Sequence, residues 1–219
     1  MQYDFSASAT SRGLQPPEKA DPSHGAWLLL AEVNHRVAND YAMAVSSISM
    51  SARHAVPEAQ ADLLAARDRL YDFAEAHRAL LAPAGDVADL SDYLAQLCLA
   101  VVRAKLAERG VSLRFIAAPF EMPSDACWRV GLIVSELITN ALKHGLTGAG
   151  GAITVELRAS GSGLDCAVRD NGCADALAPP GRGTPIIDAI AKQLDGHITR
   201  CFGRSGSCVV LSLPAASSA

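Results

Sequence analysis

Val130-Gly131-Leu132-Ile133-Val134-Ser135-Glu136-Leu137-Ile138-Thr139-Asn140-Ala141-Leu142-Lys143-His144 is the stretch that decides how this chain folds. Val130, Ile133, Val134, Leu137, Ile138, Ala141 and Leu142 recur at helical spacing and predict a helix over 123–146 that is buried around most of its girth. Pro123 sits near its start and Gly145 at its end, where each residue type is tolerated best. Glu136, Asn140 and the pair Lys143/His144 follow at four-residue steps and share the remaining face. An acid and an amide on an otherwise buried helix need partners. Taken alone, the solvated side of an amphipathic helix accounts for them equally well.

On either side of this helix the pattern is mixed. Upstream, residues 91–109 read as a helix opened by the cap-competent Ser91 and closed by Gly110. Val111–Ala117 alternates as a strand. Downstream, 152–159 and 163–169 are strands joined by Ser160-Gly161-Ser162, a hairpin signal. The second strand ends in Asp170-Asn171-Gly172, an acid followed by a glycine that permits close backbone approach. An ordinary Asx turn has the same look. A turn-rich stretch, 170–183, follows. Gly181-Arg182-Gly183-Thr184 then opens a helix over 184–195, closed by Gly196. Glycines at a helix N-terminus offer N–H groups and partial positive charge to a phosphate. Strands 197–202 and 207–213 finish the pattern.

Pro83-Ala84-Gly85 separates this half from a purely helical one. Residues 26–54 form one helix with Leu30, Val33, Val37, Ala44 and Ile48 in a stripe. Pro57 breaks it. Residues 58–82 form a second helix, with Leu63, Leu70 and His77 in one line and Ala66, Phe73 and Leu80 in another, near-heptad spacing. Two long helices with a short connection make an antiparallel hairpin. One hairpin buries a single narrow seam, so a homodimeric four-helix bundle is expected. The predicted divisions are a disordered tail at 1–24, the dimerisation hairpin at 25–84 and a second domain at 85–215. The class is α+β: a hairpin, then an α/β sandwich with helices on one face of a mixed sheet.

Composition narrows the function. Half of the 219 residues are hydrophobic, and the net charge is −4. No Lys/Arg block exists to neutralise phosphates, which argues against nucleic acid. No apolar run approaches the roughly 20 residues of a membrane helix, so no membrane insertion is expected and the cytoplasm is the expected location. The tail is too short for a sensor domain, so input is expected from a separate sensor protein. Cysteines at 98, 127, 166, 173, 201 and 208 include no CxxC pair, and zinc is not expected. Each lies in or beside an apolar run and reads as a small buried thiol.

The order of these features carries more than any one of them. ExxxN on a helix, a strand ending in DxG, a loop, then GxG opening a helix resembles the ATP-binding domain of the GHKL group over about residues 86–213. That group comprises histidine kinases, gyrase-type ATPases and Hsp90-type chaperones. The resemblance implies a GHKL/Bergerat-type sandwich that binds ATP with Mg²⁺. It implies that Asn140 ligates the metal and that Glu136 acts as base or orients water near the γ-phosphate. Lys143 and His144 would contact phosphate or ribose. Asp170 would accept from the adenine amino group, Gly172 would permit the approach, Gly181 and Gly183 would hold phosphates, and Ser207 would touch the adenine side.

The first helix carries Glu32-Val33-Asn34-His35-Arg36-Val37-Ala38-Asn39. This resembles the H-box of HisKA_2/HWE sensor histidine kinases, in which the acceptor His is followed by Arg and, four on, by Asn. The resemblance implies phosphorylation of His35, with Glu32 orienting the ring and Asn39 on the same face. A neutral imidazole can attack a phosphoryl group in line, and its ordinary pKa near 6.5 leaves a neutral fraction in the cell. The phosphate would pass to an aspartate on a response regulator receiver domain.

Three places depart from the family pattern. Cys173-Ala174 replaces the second glycine region of DxGxG, Thr184-Pro185 replaces Gly-Leu, and the loop 173–180 is short and carries Pro179-Pro180. They keep open a histidine phosphotransfer protein whose degenerate ATP domain only relays phosphate between receiver domains. The H-box argues against a serine-directed kinase or an ATP-gated interaction module.

Overall fold

The computed structural model describes residues 22–106, 109–146, 150–161, 163–173 and 183–214, with side chains in the first helix only at 29 and from 32 onward. Of the expected tail at 1–24, residues 1–21 lie outside the described residues, as do 174–180 of the short loop and Gly181, while 22–24 are helical and correct the expected boundary.

Helix α1 (Pro22–His54) starts four residues before the stretch read from sequence. Helix α2 (Pro57–Ala79) begins on the proline that ends α1, since a first-turn position needs no N–H donor. The two pack along each other as the predicted hairpin. Few of their side chains are buried: Ala38 and Ala52 on α1 and Ala74 and Ala76 on α2, among those described.

A two-stranded ribbon that the sequence did not reveal follows, β1 (Val87–Asp89) paired antiparallel with β3 (Glu121–Pro123). At three residues each, its strands are too short to show alternation. Helix α3 (Leu90–Val101) starts one residue earlier than predicted, and its cap is Asp89, not Ser91. The Asp89 carboxylate accepts from the Ser91 N–H at 2.7 Å, the Ser91 hydroxyl at 2.6 Å and the Asp92 N–H at 3.3 Å. These bonds hold Asp89 below the usual carboxylate range, the Ser91 hydroxyl foremost. Helix α3 ends in a π-helical turn, Val102–Leu106.

The main sheet has β2 (Val111–Ile116), β4 (Gly151–Ser160), β5 (Gly163–Asp170), β6 (His197–Gly203) and β7 (Gly206–Leu213) in the order β2-β4-β5-β7-β6. β2 is parallel to β4 and the other pairs are antiparallel, the predicted mixed sheet. A parallel neighbour needs a crossover, and helix α4 (Ser124–Asn140) lies in it. The hairpin between β4 and β5 is tighter than the three residues expected, because the strands pair through to Ser160↔Gly163. Gly161 supplies the left-handed φ of +60° that its turn requires.

Ile153, Val155, Leu157, Leu164, Cys166, Val168, Val209 and Leu211 face α3 and α4 and form one core with Leu94, Leu97, Ile133, Val134 and Ile138. Helix α5 (Gly183–Gln193) adds Ile187 and Ile190. The Trp128 indole N–H donates to the Leu80 carbonyl at 2.7 Å and ties α4 to the end of α2.

The glycine cap predicted at the end of α5 acts differently from expectation. At the end of α5 the left-handed residue is Asp195, with φ 52°. Gly196 is needed because a Cβ there would meet the Ser212 carbonyl. The cysteine expectation is corrected as well. Cys98, Cys127 and Cys166 are buried, but Cys173 and Cys201 are exposed and Cys208 is half-buried. The strand period places the last two on the helix-free face of the sheet.

Candidate nucleotide and phosphoacceptor sites

Leu164, Cys166, Val168 and Asp170 share the helix-facing side of β5, since alternate residues point the same way. The strand therefore delivers a carboxylate to the end of the core, where it is 8% exposed. A buried acid must be hydrogen-bonded. The Gly172 N–H donates to Asp170 Oδ1 at 2.9 Å, and the Ser207 hydroxyl donates to Oδ2. Ser207 reaches it because β7 pairs Ser207 directly with Asp170.

Helix α4 closes over this acid through a second π-helical turn, Ala141–Gly145. The wider turn alters the four-residue step read from sequence. Glu136 and Asn140 remain half-buried on α4, whereas Lys143 and His144 are exposed on the π turn. Single π turns gather at functional sites. Gly145 is not a left-handed helix cap. A Cβ there would lie 2.7 Å from Asp170 Oδ1. Gly172 is equally constrained, because its Cβ would collide with the Gly145 carbonyl, which also accepts from the Cys173 N–H at 3.0 Å. Asp170, Gly172, Ser207 and Gly145 thus form one cradle. Gly145 had been read only as a helix terminator, and its register against Asp170 is visible only once the strand and the π turn are in place. Asn171, also missed, caps the edge of β4: its Oδ1 accepts from the Ala152 N–H at 2.7 Å.

Toward the start of α4, Gly183 opens α5 against Glu136, so closely that a Cβ would overlap the Glu136 carboxylate. The positive end of a helix thereby faces an acid. Lys105, from the π turn after α3, joins them. Its ammonium donates to Thr139 Oγ1 at 3.2 Å. Burial holds its pKa below the ordinary lysine value, an effect opposed by the Glu136 charge and reinforced by Lys143. A lone lysine near a helix end gives no sequence signal; only packing brings it to Glu136. The Arg109 guanidinium donates to the Leu142 carbonyl at 3.0 Å and holds the π turn from outside.

These donors suit a nucleotide. A buried acid beside a hydroxyl and two glycine approaches fits an adenine edge, and a cation and a helix N-terminus fit phosphate. Among the described residues no group of three or more His, Cys, Asp or Glu could cage a metal. Mg²⁺ needs no such cage, since it keeps waters and uses one or two protein ligands with substrate phosphates. The Asn140 amide oxygen and the Glu136 carboxylate are compatible with that.

The H-box residues lie apart from the cradle, on the solvent side of α1. Glu32, His35, Arg36 and Asn39 are all exposed. The Arg36 guanidinium donates to Glu32 Oε1 at 2.7 Å, which lowers the Glu32 pKa and raises that of Arg36. Glu32, expected to orient the ring, is thus engaged by Arg36. The ring partner is Asn39, whose Nδ2 lies 3.3 Å from His35 Nδ1. With the amide turned the other way, its oxygen accepts from Nδ1–H and leaves the Nε2 lone pair free.

A helical hairpin leading into a mixed sheet, with a buried acid at one strand end and an acid and amide on the covering helix, defines a two-module ATPase-type protein. Residues 102–213 match the family model of the histidine kinase-like ATPase domain, and residues 32–105 match the HisKA_2 histidine kinase model. The first covers just over half of the chain, which belongs to the histidine kinases of the HisKA_2/HWE class. Blue-light-activated histidine kinase 2 of Erythrobacter litoralis (strain HTCC2594) is 30% identical over 199 residues, covering 84% of this chain and 56% of that relative. The chain therefore spans little more than half the length of that relative. Among solved structures, the histidine kinase domain of the Erythrobacter litoralis EL346 blue-light activated kinase superposes with a TM-score of 0.54 at 20% identity, over 78% of this chain and 94% of that one. A bacterial phosphotransferase superposes with a TM-score of 0.61 at 12% identity, over 89% and 98%. At such identities these likenesses show the fold. No helix among the described residues is long and apolar enough to cross a membrane.

Proposed function

We propose that the chain phosphorylates His35 with ATP and passes the phosphoryl group to an aspartate of a response regulator receiver domain. The observation that carries the ATP part is the cradle of Asp170, Ser207, Gly145 and Gly172, in which two glycines close on a buried acid whose oxygens accept from the Gly172 N–H and the Ser207 hydroxyl. Asp170 accepts from the adenine amino group, with Ser207 beside it. Lys143, His144, Gly181 and the N-terminus of α5 at Gly183 hold the phosphates. Asn140 would hold Mg²⁺, which would neutralise charge on the transferring phosphoryl group. His35, its ring fixed by Asn39, attacks phosphorus through Nε2; the bond to the bridging oxygen breaks, ADP leaves, and Glu136 or water accepts the ring proton. Glu32 acts by holding Arg36, which pairs with phosphoryl oxygens. Two copies join through the hairpins, and the protein works in the cytoplasm.

The test is incubation with γ-labelled ATP and Mg²⁺, beside His35→Ala and Asn140→Ala. The expected product is acid-labile, base-stable label that both substitutions abolish. Label surviving His35→Ala would sink His35 as acceptor. A phosphate relay without ATP chemistry is the second reading. It is favoured by Cys173-Ala174 in place of the family glycine. It predicts no label from ATP and gain of label from a phosphorylated receiver domain.

A further inference from the structure

The helix-free face of the sheet carries a cysteine pair beside the nucleotide cradle. Cys201 on β6 and Cys208 on β7 stand directly opposite each other in the antiparallel register. They share a face, since Arg200 turns the other way to donate to Asp188 on α5, and Val209 turns into the core. Cα atoms of opposed residues lie about 4.5–5.5 Å apart, within the span a disulfide bridges. On its other flank Cys208 pairs in register with Arg169 of β5. Both thiols are reachable from solvent, Cys201 exposed and Cys208 half-buried. The remaining cysteines differ. Burial pushes Cys98 and Cys166 up to about 12 and Cys127 up to about 11, so they stay protonated, and Cys173 has no cysteine opposite it.

We propose that Cys201 and Cys208 form a reversible cross-strand disulfide on exposure to a peroxide, and that this bond weakens nucleotide binding through Ser207. Cys208, which faces Arg169 in register on its other flank, is the attacking group. Its sulfur attacks the peroxide O–O bond and becomes a sulfenic acid, releasing one water. The Cys201 thiolate then attacks that sulfur: the S–S bond forms, the S–O bond breaks and a second water leaves. Two thiols and one hydrogen peroxide give one disulfide and two waters, with the cysteines oxidised and the peroxide reduced.

The link to the cradle is one residue long. Ser207 precedes Cys208 and donates its hydroxyl to Asp170. Gly206, with φ +132°, lies so near the Asp170 carbonyl that a Cβ would collide with it. Opposed Cβ atoms in a sheet sit about 4.5–5.5 Å apart, and a disulfide needs about 3.5–4.5 Å. Closing the bond draws β7 toward β6 at Cys208 and away from its seat on Asp170. The effect on ATP rests on reading Asp170 as the adenine acid.

The test treats the full chain with hydrogen peroxide, maps peptides without reductant and measures Mg-ATP affinity before and after. The expected map shows a Cys201–Cys208 cross-linked peptide lighter by two hydrogens. Affinity is expected to fall about tenfold and to recover with dithiothreitol. Cys201→Ser is expected to keep its affinity under peroxide. Thiols that stay free, pairing with Cys173 instead, or a cross-link with undiminished affinity overturns the proposal. Reduced protein that binds no ATP counts against Asp170 as the adenine acid, and the peptide map alone then decides the disulfide.

Discussion

The hairpin and the sheet domain solve the problem of apolar surface in opposite ways. In the sheet domain Leu94, Leu97, Ile133, Val134, Ile138, Ile153 and Leu211 are sealed completely. In the hairpin the buried residues among those described are four alanines, while Met43, Leu29, Met50 and Val33 remain 72%, 68%, 64% and 51% exposed. One region carries its own core. The other presents an apolar stripe that a single copy leaves open, and that contrast is the physical basis for the proposed dimer.

The largest effect should come from the open stripe. Met43→Glu with Met50→Glu places charge on the seam of the proposed bundle and is expected to convert dimer to monomer in sedimentation, with the sheet domain still folded. A monomeric unsubstituted protein at micromolar concentration would refute the bundle. Next comes the sealed core. Ile138→Ala should cost about 2–5 kcal/mol in denaturant unfolding, because it empties space that nothing can refill. The matched Met43→Ala should cost far less in a monomer, and an equal cost would erase the contrast.

A smaller effect tests the joint between the regions. Trp128→Phe removes the indole donor to Leu80 and should cost about 1 kcal/mol. It should also raise amide exchange at the end of α2 more than in the sheet. The smallest effect concerns acid. The folded pKa of Asp89 lies below its ordinary 3.8, so the unfolded chain takes up the proton first as pH falls. The stabilisation is full above that ordinary value and is lost as pH falls through the lowered one. Asp89→Asn, which can still cap, should flatten the acid limb of thermal stability against pH in this range.

Long, strongly periodic elements were legible: both hairpin helices, α4, and the strand pairs around Asp170 all lie near their predicted bounds. The ribbon β1–β3 was not, since three residues show no period. The Asp89 cap was missed because Ser91 is an equally good cap by type, and only the turn of the chain into the ribbon decides between them. At the site, Asp170 and Glu136 stood out in the sequence as acids in apolar company. Lys105 and Gly145 did not, because neither carries a local signal and each matters through a residue more than twenty positions away.

By itself the sequence determined the two-part α+β plan, the candidate acceptor His35 and the acid at the end of β5, because period, punctuation and burial of charge are local and written in residue type. Only the tertiary structure decided which glycines are close approaches and which are turns. It also decided that Asn39, and not Glu32, meets the His35 ring, and that Ser207 and Cys208 sit back to back on one strand. Those are distances between segments, fixed by register and by the π turns, and no residue type encodes a distance to a strand it has not yet met.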